Sequence, residues 1–182
     1  MRWTSLFADL EAQFEAAQAA ELELEVRDRS RREAALIRTV DRLRAARGAD
    51  VVLSVPGAGP VQGVLRDAGQ DWVLVEQPGA REVLVPLASV LSVTGLGRRA
   101  APDAGEVARR LDLRWALRGL ARARTAVQVG LVDGAVLSGT LDRVGADHVD
   151  LAEHVAGQER RASSVQGVRL VPLSALALVR SA

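Results

Sequence analysis

From residue 51 onward the chain is written mostly in period two. VVLSV (51–55), VQGVLRDA (61–68), DWVLVE (71–76) and REVLVP (81–86) alternate apolar with polar or small positions, the pattern of half-buried strands. PGAG and GQD, rich in glycine, break the runs as turns. A shorter run, SVLSV (89–93), follows Val85-Pro86-Leu87. Proline cannot donate to a ladder, so Pro86 is expected to end the fourth strand and open a single turn.

The same grammar returns later in the chain. With a shift of 76 residues Val51, Leu53 and Val55 fall on Val127, Val129 and Leu131, Gly63 and Leu65 on Gly139 and Leu141, and Asp71 and Val73 on Asp147 and Val149. The phrase VPLASVLSV (85–93) recurs as VPLSALALV (171–179) with a shift of 86, so the second copy carries ten extra residues, VAGQERRASS, between its third and fourth strands. Gly63 and Gly139 fall inside second strands, where glycine marks a bulge or sharp bend, and strongly bent strands let a five-stranded sheet curl into a small barrel.

Period 3.6 governs the rest. AALIRTVDRLRAA places Leu36, Val40 and Leu43 on one helical face, and LDLRWALRGL does the same with Leu113, Leu117 and Leu120. Each set of strands is therefore expected to follow a helix. Further upstream Trp3, Phe7, Leu10, Phe14 and Ala17 recur every three or four residues, a stripe suited to helix association. Charge is lopsided there: residues 1–26 hold six acids against Arg2, and 27–47 hold eight arginines against three acids. The polar RDRSRRE lies between. Either the two parts fold back on each other, or they pair antiparallel with a second molecule, or they form one long solvated helix.

The expected class is thus mainly β with helices (α+β): an N-terminal amphipathic helical arm (1–34), a first helix plus barrel (35–97), and a second helix plus barrel with the insertion (98–182). The unit resembles the Sm-like barrel, a helix followed by a bent five-stranded sheet. The residues that carry the resemblance are the alternating strand Val127–Leu131, the Asp133-Gly134 turn, Gly139–Leu141, Asp147 and Leu151, with Gly63–Leu65 and Asp71 in the first copy. The Val-Pro-Leu ending is also similar to the C-terminal barrel of bacterial ribosome-maturation factors. In Sm proteins an asparagine and an Arg-Gly pair line the RNA base pocket. This chain has no asparagine, and the second slot reads Val85-Pro86-Leu87 and Val171-Pro172-Leu173, so the resemblance implies a fold and not that pocket.

Composition narrows the function. All 24 basic residues are arginine, lysine and tyrosine are absent, and net charge is +1, so there is no global pull toward polyanions and arginine richness follows from GC-rich codons. Without cysteine there is no disulfide, thiolate nucleophile or thiolate metal site. No apolar run spans a bilayer and MRWTSLFADLEAQFE has no signal-like apolar core, so no membrane role and a cytoplasmic address are expected. His148, Asp150 and His154 share a strand face, but Asp147 already serves a turn and the spacing runs off the strand, so no metal or other cofactor is expected. With no phosphate loop and no paired nucleophile and base, no enzyme is expected.

Two functions remain. One is assembly with a protein partner or a second copy, through Trp3, Phe7, Leu10 and Phe14 and through strand edges at Val85 and Leu178; in Sm rings the fourth strand of one barrel pairs with the fifth of the next. On that pattern Val83–Val85 and Val90–Val93 of the first copy would pair with Val168–Val171 and Leu176–Val179 of the second, within or between chains. The other is a nucleic-acid regulator using arginine-rich helices, above all Arg110, Arg114, Arg118 and Arg122, spaced by four along one helix.

Overall fold

A computed structural model describes residues 3–101, 111–155 and 165–181. Arg110 and nearly all of the ten-residue insertion lie outside them. The chain divides into two compact units, Met1–Ile37 and Arg38–Ala182.

The first unit is one helix, α1 (Trp3–Ala35), of 33 residues, which at about 1.5 Å per residue runs roughly 50 Å. It passes through RDRSRRE without a break, and surface pairs at helical spacing accompany that stretch: Arg27 with Glu23, Arg29 with Glu33 and Arg31 with Asp28.

The second unit is mixed α+β and dominated by sheet. Its elements are α2 (Thr39–Ala45), β1 (Asp50–Val55), β2 (Gly59–Ala68), β3 (Trp72–Gln77), β4 (Arg81–Pro86), β5 (Ser92–Thr94), α3 (Leu113–Ala123), β6 (Ala126–Leu131), β7 (Val136–Val144), β8 (His148–Glu153), β9 (Gly167–Pro172) and β10 (Leu176–Ser181). Single 3-10 turns at Leu87–Ser89 and Leu173–Ala175 follow the two prolines. Among the described residues the ten strands form one sheet, ordered β5-β1-β2-β3-β4-β10-β6-β7-β8-β9.

The repeat read from sequence is a repeat of hydrogen-bond register. Val51 opposes Gly63 and Val127 opposes Gly139; Leu65 opposes Val75 and Leu141 opposes Leu151; Val73 opposes Val85 and Val149 opposes Val171. Bulges fall at Leu65–Asp67 and Leu141–Arg143, the same place in both copies. The bend glycines have a steric reason: a Cβ on Gly63 would collide with the Glu76 carbonyl, and one on Gly139 with that of Ala152. Gly139→Val should therefore cost about 1–3 kcal/mol through overpacking, read as a lowered melting temperature with the strand circular-dichroism signal retained.

One expected helix is displaced. AALIRTVDRLRAA is divided: α1 ends at Ala35 and α2 begins at Thr39, because the Asp41 carboxylate takes the Arg38 backbone N–H at 3.0 Å and starts a new helix there. Val40 and Leu43 are buried, but Leu36 falls before the new helix and is 79% exposed. In the second copy Asp112 caps α3 by accepting from Trp115 N at 2.7 Å, and Leu113 and Leu117 are buried as expected.

Two hydrophobic cores result. The first gathers Val40, Leu43, Leu53, Leu65, Val75 and Val85, and takes in Ala177 and Leu178 from β10. The second gathers Leu113, Leu117, Val129, Leu141, Leu151 and Val171, and takes in Trp72 and Leu84 from β3 and β4. Each copy thus lends side chains to the other's core.

Candidate association surface

The fourth strand of the first copy runs beside the fifth of the second. β4 and β10 are antiparallel, with Leu84 opposite Val179 and Val83 opposite Arg180. Helix α3 locks the same seam from its N-terminus. Asp71 Oδ1 accepts from Leu113 N at 2.7 Å, and the Leu111 carbonyl accepts from Gln70 N at 3.1 Å and from Trp72 Nε1 at 2.9 Å. Burial pushes the Asp71 carboxyl above its ordinary value, and nearby Asp112 adds to this, while the bond from Leu113 N and the Arg114 charge oppose it. Asp112, also desolvated, is nevertheless held below the carboxylate range by the bonds from Trp115 N and Arg114.

The second copy offers the same surfaces, and among the described residues nothing lies against them. Leu84 is 5% exposed under the seam, and its counterpart Leu170 on β9 is 58% exposed. Beside it Val168 is 64% exposed. Trp72 is buried, whereas His148 in its place is partly exposed and bonds to Asp147 (2.9 Å), whose carboxylate caps no helix among the described residues. At the other end of the sheet β5 pairs with β1 alone, and Leu91 just before it is exposed. β9 pairs with β8 alone. Among the described residues the sheet therefore ends in two unpaired edges, a fifth strand on one side and a fourth on the other.

The residues singled out from sequence are distributed as follows. Val85 and Leu178 are core residues of the first hydrophobic cluster, so their side chains are not on an accessible edge. Of the two strand-edge pairings expected, that of Val83–Val85 with Leu176–Val179 lies within the chain at β4 and β10, while β5 and β9 remain apart. Phe7 and Phe14 are exposed on α1, as are Leu22, Leu24 and Val26; the side chains of Trp3 and Leu10 lie outside the described residues. On α3 Arg114 is drawn to Asp112 (2.7 Å), whereas Arg118 and Arg122 are exposed. The arginines near α2 hold the fold instead: Arg44 is buried against the Ala68 and Gly69 carbonyls, Arg42 bonds to the Gly97 carbonyl, and Arg47 pairs with Asp67.

The histidines do not converge. His154 is buried with Nδ1 3.1 Å from the Val155 carbonyl and Nε2 2.8 Å from Thr140 Oγ1. A carbonyl only accepts, so Nδ1 carries the proton and Nε2 takes the hydroxyl hydrogen, leaving no lone pair for a metal. Among the described residues no three acids or histidines come together as a metal set, and no helix is long and apolar enough to cross a membrane. Compared with protein-family models and with curated proteins, the chain matches none.

Proposed function

We propose that the chain consists of two tandem Sm-like barrels and acts as a non-enzymatic assembly protein, joining copies of itself by strand-edge pairing. The observation that supports this reading is the β4–β10 seam set beside the β9 and β5 edges: one copy's fourth strand is covered by a fifth strand and a helix, and among the described residues the equivalent strand, with Val168 and Leu170 exposed, has neither. The covering that fits β9 is the β5 edge of a second chain, since the chain itself already uses that geometry once. A row of unpaired N–H and C=O groups flanked by Val168 and Leu170 favours such an addition. The exposed aromatics Phe7 and Phe14 of α1 supply a second association element.

Light scattering on the full chain tests this. Solution mass should rise with concentration to multiples of the single chain. Val168→Lys with Leu170→Lys, both exposed, should leave the melting temperature within a few degrees and raise the dissociation constant roughly a hundredfold, about 1.4 kcal/mol for each tenfold step. A wild-type chain that stays single at high concentration would refute the reading.

A second reading rests on Arg118 and Arg122, exposed and four apart on α3: a nucleic-acid regulator with the barrels as scaffold. Anisotropy of labelled single-stranded RNA and duplex DNA that falls steeply with salt, and is lost in Arg118→Ala with Arg122→Ala, would favour it.

A further inference from the structure

One polar pocket on the seam is built unlike the other charged places of the unit. It is lined by Gln77 at the end of β3, Arg81 at the start of β4, Gln128 of β6, and Arg180 and Ser181 of β10, around a cavity of about 200 Å³. The sheet register brings them together: Gln77 opposes Arg81, and Arg180 opposes both Val83 and Gln128. Two arginines and two glutamines line the space, the Gln77 amide also donating to the Gln62 carbonyl at 3.4 Å, and among the described residues no acid lines it.

Several arginines elsewhere in the unit are answered by acids. Arg66 pairs with Glu76, Arg169 with Glu153, Arg114 with Asp112, Arg47 with Asp67, and buried Arg44 with Asp41. Arg180 differs. Its Nε is wholly buried and has no hydrogen-bond partner among the described residues. A buried guanidinium N–H left unpaired is costly. The repeat provides an internal control. In the second copy the register position of Gln77 and Arg81 is held by Glu153 and Gly167, and Glu153 is bonded to Arg169 at 2.6 Å. The donor set therefore belongs to the seam and not to the repeated unit.

We infer that this pocket binds a phosphate group carried by a small phosphomonoester. Arginine presents planar paired donors that match tetrahedral oxyanions, and the Gln128 amide can add a neutral donor beside them. A cavity of about 200 Å³ has room for a phosphate group. The inference is independent of the assembly reading, because the pocket lies on the intramolecular seam.

Calorimetric titration and thermal melting of the full chain at constant ionic strength test it, with orthophosphate and adenosine monophosphate as probes and chloride as control. Both phosphates should bind and raise the melting temperature where chloride does not, with adenosine monophosphate at least as tight as orthophosphate. Arg81→Gln, at an exposed position, should weaken both about tenfold, the loss expected for one charge-assisted contact. Arg180→Met should melt no lower than wild type in phosphate-free buffer, since it removes the unpaired buried N–H, yet lose the phosphate-dependent rise. Absence of any phosphate-specific rise, an undiminished rise in Arg81→Gln, or exclusion of adenosine monophosphate while orthophosphate binds would overturn the proposal.

Discussion

Replacing Asp41 with alanine will destabilise the Arg38–Ala182 unit by about 3–5 kcal/mol, the range for removing one partner of a buried ion pair. Asp41 is 2% exposed and its carboxylate meets Arg44 at 3.5 Å and Arg38 at 3.3 Å. Arg44 is itself buried, and its Nη1 has no hydrogen bond, so without Asp41 it would be a desolvated cation with no counter-charge. Burial works against ionisation of Asp41, but the Arg38 side chain and backbone bonds, with the Arg38 and Arg44 charges, outweigh it and hold the carboxyl below its ordinary 3.8. A depressed carboxyl contributes stability that is complete above the unfolded value and is lost as pH falls through the folded one. Urea denaturation should therefore show stability declining below about pH 4 in wild type. Asp41→Asn should lower the neutral plateau and flatten that acid limb. An unchanged limb in Asp41→Asn would show that other carboxylates govern acid unfolding.

Trp72→Ala is the second large effect, about 3–5 kcal/mol for truncating a buried tryptophan. The indole is 4% exposed, lies in the second core while belonging to the first copy, and donates to the Leu111 carbonyl ahead of α3. Trp72→Phe keeps most of the packing and loses the hydrogen bond, so its cost should be about 1–3 kcal/mol, that of the carbonyl acceptor left without its donor. Chemical denaturation followed by circular dichroism separates the two. Equal losses in both variants would mean that the hydrogen bond, rather than the packing, holds α3 to the first copy.

Strand positions were legible because alternation and turn chemistry are local. VVLSV and GVRLVP alternate so as to bury one face each, and the glycine turns left little choice of boundary; that DWVLVE buries both faces, Val73 and Val75 in one core and Trp72 in the other, follows only from the second copy packing against it. The break between α1 and α2 was not legible, because AALIRTVDRLRAA contains no glycine or proline; it follows from Asp41 capturing the Arg38 N–H and from the packing of Val40 and Leu43 on strands far along the chain. The arginines illustrate the same limit. Arg44 and Arg118 look alike in sequence, and only the position of the Ala68 and Gly69 carbonyls makes one structural and leaves the other exposed. The pocket of Arg81 and Arg180 had no sequence signal at all, since its residues come from four strands and meet only through the β4–β10 pairing.

That pairing also dictates an order of events during synthesis. The first core includes Ala177 and Leu178, supplied by the last strand, and the second includes Trp72 and Leu84 from early ones. An emerging chain can form β1 to β5 but leaves that core unsealed, its β4 edge bare, until β10 leaves the ribosome. The repeat is therefore one cooperative folding unit and not two beads added in turn, and its nascent form bares a strand edge at β4 that the finished sheet pairs.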